Sequence, residues 1–484
     1  LLLLALAVSP VRAQLPTLGD SGDMTTGAER KLGERIAREL YRDPDYLDDP
    51  VLDDYVLSIW TRLLAGARAR GELSPEIDER FAWQVLLGKD RTINAFALPG
   101  GWMGLHLGLI SATVSKDELA SVLAHELSHV TQRHISRMMA EERKQTPLLI
   151  AAMILGAIAA GKNPDAAQAM IIGGQAAAMQ GQLNFSRDME READRIGFGV
   201  STQAGFDPQG FVSMFDKLQQ ASRLNDNGAF PYLRTHPMTT ERIAEMQSRQ
   251  QLGARTAPAP DLVHALMAGR SKVLSNPGVD VLRSYVAEDA LQQGGNRVRQ
   301  AGALYAAALA SSKLRDNPAA IRFAQRLSDA VAGDPAASRW AALLKAEVGL
   351  QAGDAGPALA LANAGASERP ELILSSHARI QRGQAAEAAQ RLQTWVAVHP
   401  KDSEAWQLLG RAYAAQGQTL RSIRADAEAQ VAHLDYAAAL DRLKAAQELA
   451  RKGGAGTGDF IEASILDTRT RQVASLLKEQ SLER

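Results

Sequence analysis

The run Ser115-Lys116-Asp117-Glu118-Leu119-Ala120-Ser121-Val122-Leu123-Ala124-His125-Glu126-Leu127-Ser128-His129 opens with a helix start and closes with two histidines four residues apart. Ser115 and Glu118 form a capping box, in which each side chain satisfies a backbone N–H left over at the helix start. The pattern predicts an amphipathic helix that runs on through His134. At ~100° per residue, positions four apart return to nearly the same face. His125 and His129 therefore aim at one point, and Glu126 projects between them. Neutral imidazoles suit Zn2+, which lowers the pKa of a water to about 7 and lets a neighbouring carboxylate take its proton. The run points to metal-assisted hydrolysis with one zinc ion per chain. Three fixed letters in five arise by accident on the order of once per hundred chains of this length. The reading therefore draws on the helical context and on a third ligand.

A zinc hydrolase needs three protein ligands and an open fourth position. His134 lies nine residues after His125, ~900° around a continuous helix and so on the opposite face. It is also one residue early for the metzincin spacing. It is expected to be a solvated or packing histidine. In Ser186-Arg187-Asp188-Met189-Glu190-Arg191-Glu192-Ala193-Asp194, Glu190 and Asp194 share a helix face. Glu190 would complete a His2Glu set, and Asp194 would accept the free N–H of a ligand imidazole. Glu192 competes for the ligand role, and the segment also reads as a solvated charged face.

The rest of the chain frames this site. Its 484 residues allow two or three domains; 46% are hydrophobic and 23% charged, the formal net charge is −1, and there is no Cys. That balance disfavours nucleic acid as a partner, and no disulfide or cysteine-linked lipid is available. Leu1 to Val8 is apolar, and Val11 and Ala13 stand at the −3 and −1 positions of a signal-peptidase site. Residues 1–13 thus read as the end of a cleaved export signal. Apolar spacing predicts helix over Gly27 to Leu73. Phe81 to Leu87, Asn94 to Leu98 and Trp102 to Ile110 read as strands, the last two flanking a Pro99-Gly100-Gly101 turn. Leu148 to Met179 holds two apolar runs, the first about 13 residues long and short of the ~20 that a bilayer span needs. It is expected to cover the core, with peripheral membrane or partner contact through residues 148–179 as the alternative. Ala254 to Pro260 marks a domain boundary.

From Asp261 the composition favours stacked helices. Trp406, Leu409, Gly410 and Tyr413 fit the W-x2-L-G-x2-Y pattern of a tetratricopeptide helix pair, and Gly383 and Gly417 are 34 residues apart, the period of that repeat. The expected architecture is an α+β zincin-like metallopeptidase domain, mostly helical with a small sheet, over residues 14–255. An all-α tetratricopeptide-type solenoid follows over 261–484, with an irregular helical bundle as the alternative.

Asn94-Ala95-Phe96-Ala97-Leu98-Pro99-Gly100-Gly101, the His125 to His129 run, and the Glu190 and Asp194 pair occur in the order found in gluzincin peptidases. The chain resembles that family, which includes the CAAX prenyl proteases and the membrane-bound heat-shock peptidase. It is most similar to the periplasmic, repeat-bearing members concerned with β-barrel assembly. The resemblance covers both halves and is more specific in the first. It implies zinc on His125, His129 and Glu190, base chemistry on Glu126 and support from Asp194. It also implies that Asn94, Ala95, Phe96 and Ala97 lie beside the cleft and pair with an extended substrate backbone. His236-Pro237 with Arg242-Ile243 resembles the family's H-P-x-x-x-x-R-I segment. His236 then either fills the fourth position as a regulatory ligand, stabilises the oxyanion, or caps a helix starting near Pro237. His106 is expected on a strand surface, and His264, His377, His399 and His433 lack metal spacing. The implied function is a periplasmic endopeptidase, with a chaperone role, acting on unfolded or misassembled proteins. Outer-membrane β-barrel precursors and their assembly machinery are the implied partners. The alternative is a chaperone or adaptor with a silent or latched zinc site.

Overall fold

A computed structural model describes residues 24–141, 186–223, 230–249, 261–276, 278–292, 296–363, 368–452 and 460–482. The signal remnant over 1–13, the apolar segment 148–179 and the boundary at 254–260 lie outside the described residues. The first half holds α1 (Thr26–Arg42), β1 (Tyr46–Leu47), α2 (Pro50–Ala69), α3 (Pro75–Arg80), β2 (Gln84–Gly88), β3 (Ala95–Leu98), β4 (Trp102–His106), α4 (Leu107–Ala112) and α5 (Lys116–Thr131). It continues with α6 (His134–Glu141), α7 (Arg187–Gln203), α8 (Gln209–Arg223), α9 (Tyr232–Thr235) and α10 (Thr240–Ser248).

The four strands form one sheet in the order β1-β2-β4-β3, with β2 and β4 parallel and the outer pairs antiparallel. Gly100 and Gly101 turn the β3–β4 connection at φ +71° and +82°, where a side chain would be strained. The expected strand Trp102 to Ile110 ends at His106. Leu107 to Ile110 are all buried and begin α4 instead, since an unbroken apolar run carries no period-2 signal to separate strand from helix. His106, expected at the surface, is buried, and its Nδ1 lies 2.9 Å from Thr92 Oγ1. The helix expected over Gly27 to Leu73 is broken between α1 and α2 by β1, where Asp43, Pro44 and Asp45 turn the chain.

α5 is buried from Glu118 to Thr131, packed against β3, α2, α7 and α8. Ser115 Oγ accepts from the Glu118 N–H, whereas the Glu118 carboxylate reaches back to the N–H of Val114. α7 lies close against α5 at Gly197, where a Cβ would meet the backbone N of His125 at 3.0 Å. A larger residue there would push the two helices apart and separate Glu190 from the histidines.

Twelve helices follow among the described residues: α11 (Leu262–Ser275), α12 (Val279–Gln292), α13 (Arg297–Lys313), α14 (Asn317–Ala330), α15 (Pro335–Gln351), α16 (Gly356–Asn363), α17 (Arg369–Gln381), α18 (Ala385–Val398), α19 (Ser403–Ala414), α20 (Thr419–Ala432), α21 (Tyr436–Lys452) and α22 (Phe460–Ser481). From α12 onward each packs on the next, and α11, α13, α15, α17 and α19 also pack on one another in a row, the arrangement of a tetratricopeptide-type solenoid. Gly383 and Gly417 take φ +77° and +72° at the ends of α17 and α19, and Leu409 and Tyr413 are buried. Among the described residues, no helix is long and apolar enough to cross a membrane.

The inner row of the solenoid grips the first half through charge. Arg270 on α11 makes a two-pronged pair with Asp49 at 2.6 and 2.8 Å, Arg339 on α15 reaches Asp54 at 2.7 Å, and Arg369 on α17 reaches Asp48 at 2.6 Å and Asp53 at 3.0 Å. All four carboxylates belong to the segment 48–54 that starts α2, where negative charge also favours the helix dipole. Arg369 further holds Asp402 at 2.9 Å and Glu404 at 3.4 Å. So many acids around one guanidinium leave Glu404 poorly compensated. Burial, then the charge of Asp48, push it from its ordinary 4.5 up to about 8. A carboxyl raised in the folded state contributes stability below about 4.5 that is lost as pH rises through about 8. Glu404→Gln should flatten this loss, so that its urea midpoint falls less than that of the parent chain between about pH 5 and pH 8.

Candidate metal centre

Helical spacing brings His125 and His129 to one face of α5, and α7 places Glu190 opposite them. Their side-chain atoms converge with that of His236 in a buried group of four donors, all within 4.8 Å of one another. The Nε2 atoms of His125 and His129 are 3.0 Å apart, and His236 Nδ1 lies 3.3 Å from His125 Nε2 and 2.9 Å from Glu190 Oε1. Glu190 lies 3.6 Å from His125 and 3.5 Å from His129. Bonds of ~2.0–2.1 Å in a tetrahedron put ligand atoms about 3.3–3.4 Å apart, so this spacing is that of one small cation's shell. Glu192, on the opposite side of α7, is not part of the group.

A second layer holds these donors. Asp194 Oδ1 lies 2.9 Å from His125 Nδ1, and Arg242 grips Asp194 with two hydrogen bonds at 2.7 and 2.9 Å. Arg242 also meets Glu190 at 2.8 Å and donates to the Pro237 carbonyl at 2.8 Å. Burial would raise the carboxyls of Glu190 and Asp194, but His236 and Arg242 beside the first, and Arg242 and His125 beside the second, hold both below their ordinary values. Burial, reinforced by neighbouring rings, keeps His129 well below the usual histidine range and so neutral, the form that can ligate. His236 stacks on Tyr232 with ring centroids 4.5 Å apart.

Glu126 lies between α5 and the sheet edge. Its Oε2 accepts from the Ala97 N–H at 2.9 Å, and its Oε1 lies 3.4 Å from His236 Nε2. β3 pairs with β4 on its other side, so the N–H of Ala97 points away from the sheet and toward the donors.

A model of peptidase family M48 matches residues 69–250. Over 429 residues the chain is 31% identical to the beta-barrel assembly-enhancing protease of Yersinia pestis, covering 87% of this chain and 84% of that one. It is likewise 31% identical to the Escherichia coli protein of that name, covering 88% and 86%. The chain belongs to peptidase family M48. It shares 35% identity with a putative beta-barrel assembly-enhancing protease of Vibrio cholerae over 53% of this chain and 51% of that one. It also shares 30% identity with the mitochondrial metalloendopeptidase OMA1 of Arabidopsis thaliana, over 40% of this chain and 36% of the other.

As an M48 member the chain is a metalloendopeptidase, and its residues fit the metal that this activity requires. Three imidazoles and a carboxylate are a nitrogen and oxygen donor set suited to a borderline ion. All four are buried, and their spacing matches one coordination shell.

Of the residues singled out from the sequence, His125, His129, Glu190 and His236 come together, with Glu126 and Asp194 beside them. The capping alternative for His236 is overturned: α10 is capped by Thr239, whose hydroxyl accepts from the Arg242 N–H. The expectation for His134 is also corrected. α5 ends at Thr131 rather than running through His134, and Arg133 at φ +52° turns the chain back. His134 is thereby buried with its Nδ1 2.8 Å from His129 Nδ1. The pairing of Arg242 with two carboxylates was not read from the sequence, although Arg242 stood in the quoted segment. His264 bridges the Tyr55 hydroxyl at 2.6 Å and the Thr113 carbonyl at 2.9 Å, a structural role.

Removing one partner of a buried charge cluster typically costs about 3–5 kcal/mol. Arg242→Ala should destabilise the metal-stripped chain by roughly that amount in urea titration, because it leaves Glu190 and Asp194 buried without their cation.

Proposed function

We propose that this chain is a zinc-dependent endopeptidase that works in the periplasm. Its proposed substrates are unfolded or misassembled proteins, with outer-membrane β-barrel precursors as the class and their assembly machinery as partner. The carrying observation is the single buried focus of His125, His129, Glu190 and His236 with Glu126 at its rim. The names of the relatives support the substrate class.

When bound at His125, His129 and Glu190, zinc supplies Lewis-acid activation of a carbonyl and of water. The chain's own groups do the rest. Glu126 is held at Oε2 by the Ala97 N–H, which leaves Oε1 to take a proton from the attacking water and return it to the leaving amine. Asp194 fixes the tautomer of His125 by accepting from its Nδ1–H, with Arg242 holding Asp194 in place. Residues 94–97, which lead into and begin β3, are the segment that would pair with an extended substrate along the strand edge not taken by β4, a mode that tolerates many sequences.

His236 is the regulatory element of this reading. It approaches the focus as a fourth donor and so takes the position that water and substrate need. Tyr232 stacked on its ring and Arg242 bound to the Pro237 carbonyl steady the loop in this closed arrangement. Cleavage then waits on the loop moving away.

Two variants separate these roles. Glu126→Gln should retain zinc while losing peptide hydrolysis by at least about two orders of magnitude, the usual worth of a general base. His236→Ala should raise basal cleavage of an unfolded substrate such as casein; unchanged or abolished cleavage would count against the closed-loop role.

A further inference from the structure

His134 has no part in the chemistry above, yet it is fully buried and in line with a ligand. Its Nδ1 lies 2.8 Å from His129 Nδ1, and its Nε2 lies 3.1 Å from Glu192 Oε2. Arg137 donates to the same Glu192 oxygen at 2.8 Å.

Two ring nitrogens at such a distance need one donor and one acceptor. With the Nε2 lone pair of His129 turned to the metal focus, its proton resides on Nδ1, so His129 donates and His134 Nδ1 accepts. A neutral His134 then carries its own hydrogen on Nε2, facing the Glu192 carboxylate. One choice at His129 thus sets every proton in the chain of contacts, and each contact has a donor and an acceptor.

The backbone is shaped to deliver this contact. Arg133 adopts φ +52°, a left-handed conformation that costs a non-glycine residue energy and persists only where the surroundings hold it. Here Arg133 is held by Glu29 at 2.9 Å, by the Met24 carbonyl and by Ser136 at 3.1 Å. α7 completes the arrangement, because Glu190, Glu192 and Asp194 alternate between its two sides.

We propose that His134 and Glu192 are positioning residues that hold His129 in its ligating orientation and tautomer. They form an imidazole–carboxylate relay that parallels the direct contact of His125 Nδ1 with the Asp194 carboxylate. The relay rests on the metal-centre reading.

The test is zinc affinity, measured on the full chain by competition with a chromophoric chelator, together with the visible spectrum of the Co2+-substituted chain. His134→Leu removes the acceptor, and zinc affinity should fall roughly 10–100-fold with a shift in the cobalt bands. His134→Asn places its Oδ1 where Nδ1 stood, accepts from the His129 Nδ1–H and should recover most of the loss. Glu192→Leu, at a side chain 29% exposed, should give a smaller loss in the same direction without disturbing the core. Equal affinity and an unchanged cobalt spectrum in His134→Leu, or an Asn variant no better than Leu, would overturn the relay. If the His134 variants do not fold, Glu192→Leu decides: weaker zinc binding supports the relay, and affinity equal to that of the parent chain overturns it. A parent chain that binds zinc no better than His129→Ala would instead sink the metal centre itself.

Discussion

Glu126, Glu190 and Asp194 are taken out of water on two facing helices, with the guanidinium of Arg242 among them. Burying a carboxylate is costly unless charge and hydrogen bonds compensate. Arg242 is one cation among several buried carboxylates, so a divalent cation at the focus would compensate negative charge that Arg242 alone does not, and the ligand geometry points to the same species. Burial works against a charged His236, but the carboxylates of Glu190 and Glu126 outweigh it and raise the ring above its usual range. An imidazole must lose its proton to ligate, so metal binding and proton release are linked.

The second half of the molecule is arranged around a different set of buried charges. Arg270, Arg339 and Arg369, from three helices of the inner row, all converge on the start of α2. That row forms the surface on which helical-repeat proteins usually take a partner, and here the chain's own peptidase region occupies part of it. α2 in turn packs on α5 and α7, the two helices that carry the donors. The solenoid therefore meets the site's supports at two places, through α2 and through α11, which packs on α4 and holds the Thr113 carbonyl just ahead of α5.

Much of the site was legible because it depends on helical periodicity. His125 with His129, and Glu190 with Asp194, are each four residues apart, and local geometry alone turns each pair to one side. His134 was misread for the same reason: its placement assumed a continuous helix, and no local signal announces that Arg133 will turn left-handed. That turn is stabilised by Glu29, more than a hundred residues earlier in the chain. Likewise, Asp48, Asp49, Asp53 and Asp54 look like an ordinary acidic helix start. Their arginine partners lie more than two hundred residues away, a distance at which single-sequence patterns are silent. His106 was misplaced because nothing local marks β4 as a central strand covered on both faces, where even a polar side chain is buried.

On the proposed reading, a pair of imidazoles and a carboxylate from two helices hold one divalent ion. Elemental analysis of the purified chain beside its His125→Ala variant addresses it most directly. The account predicts about one zinc per chain in the first, as expected for a three-ligand hydrolase site, and little or none in the second. Equal zinc in both, or none in either, would contradict it.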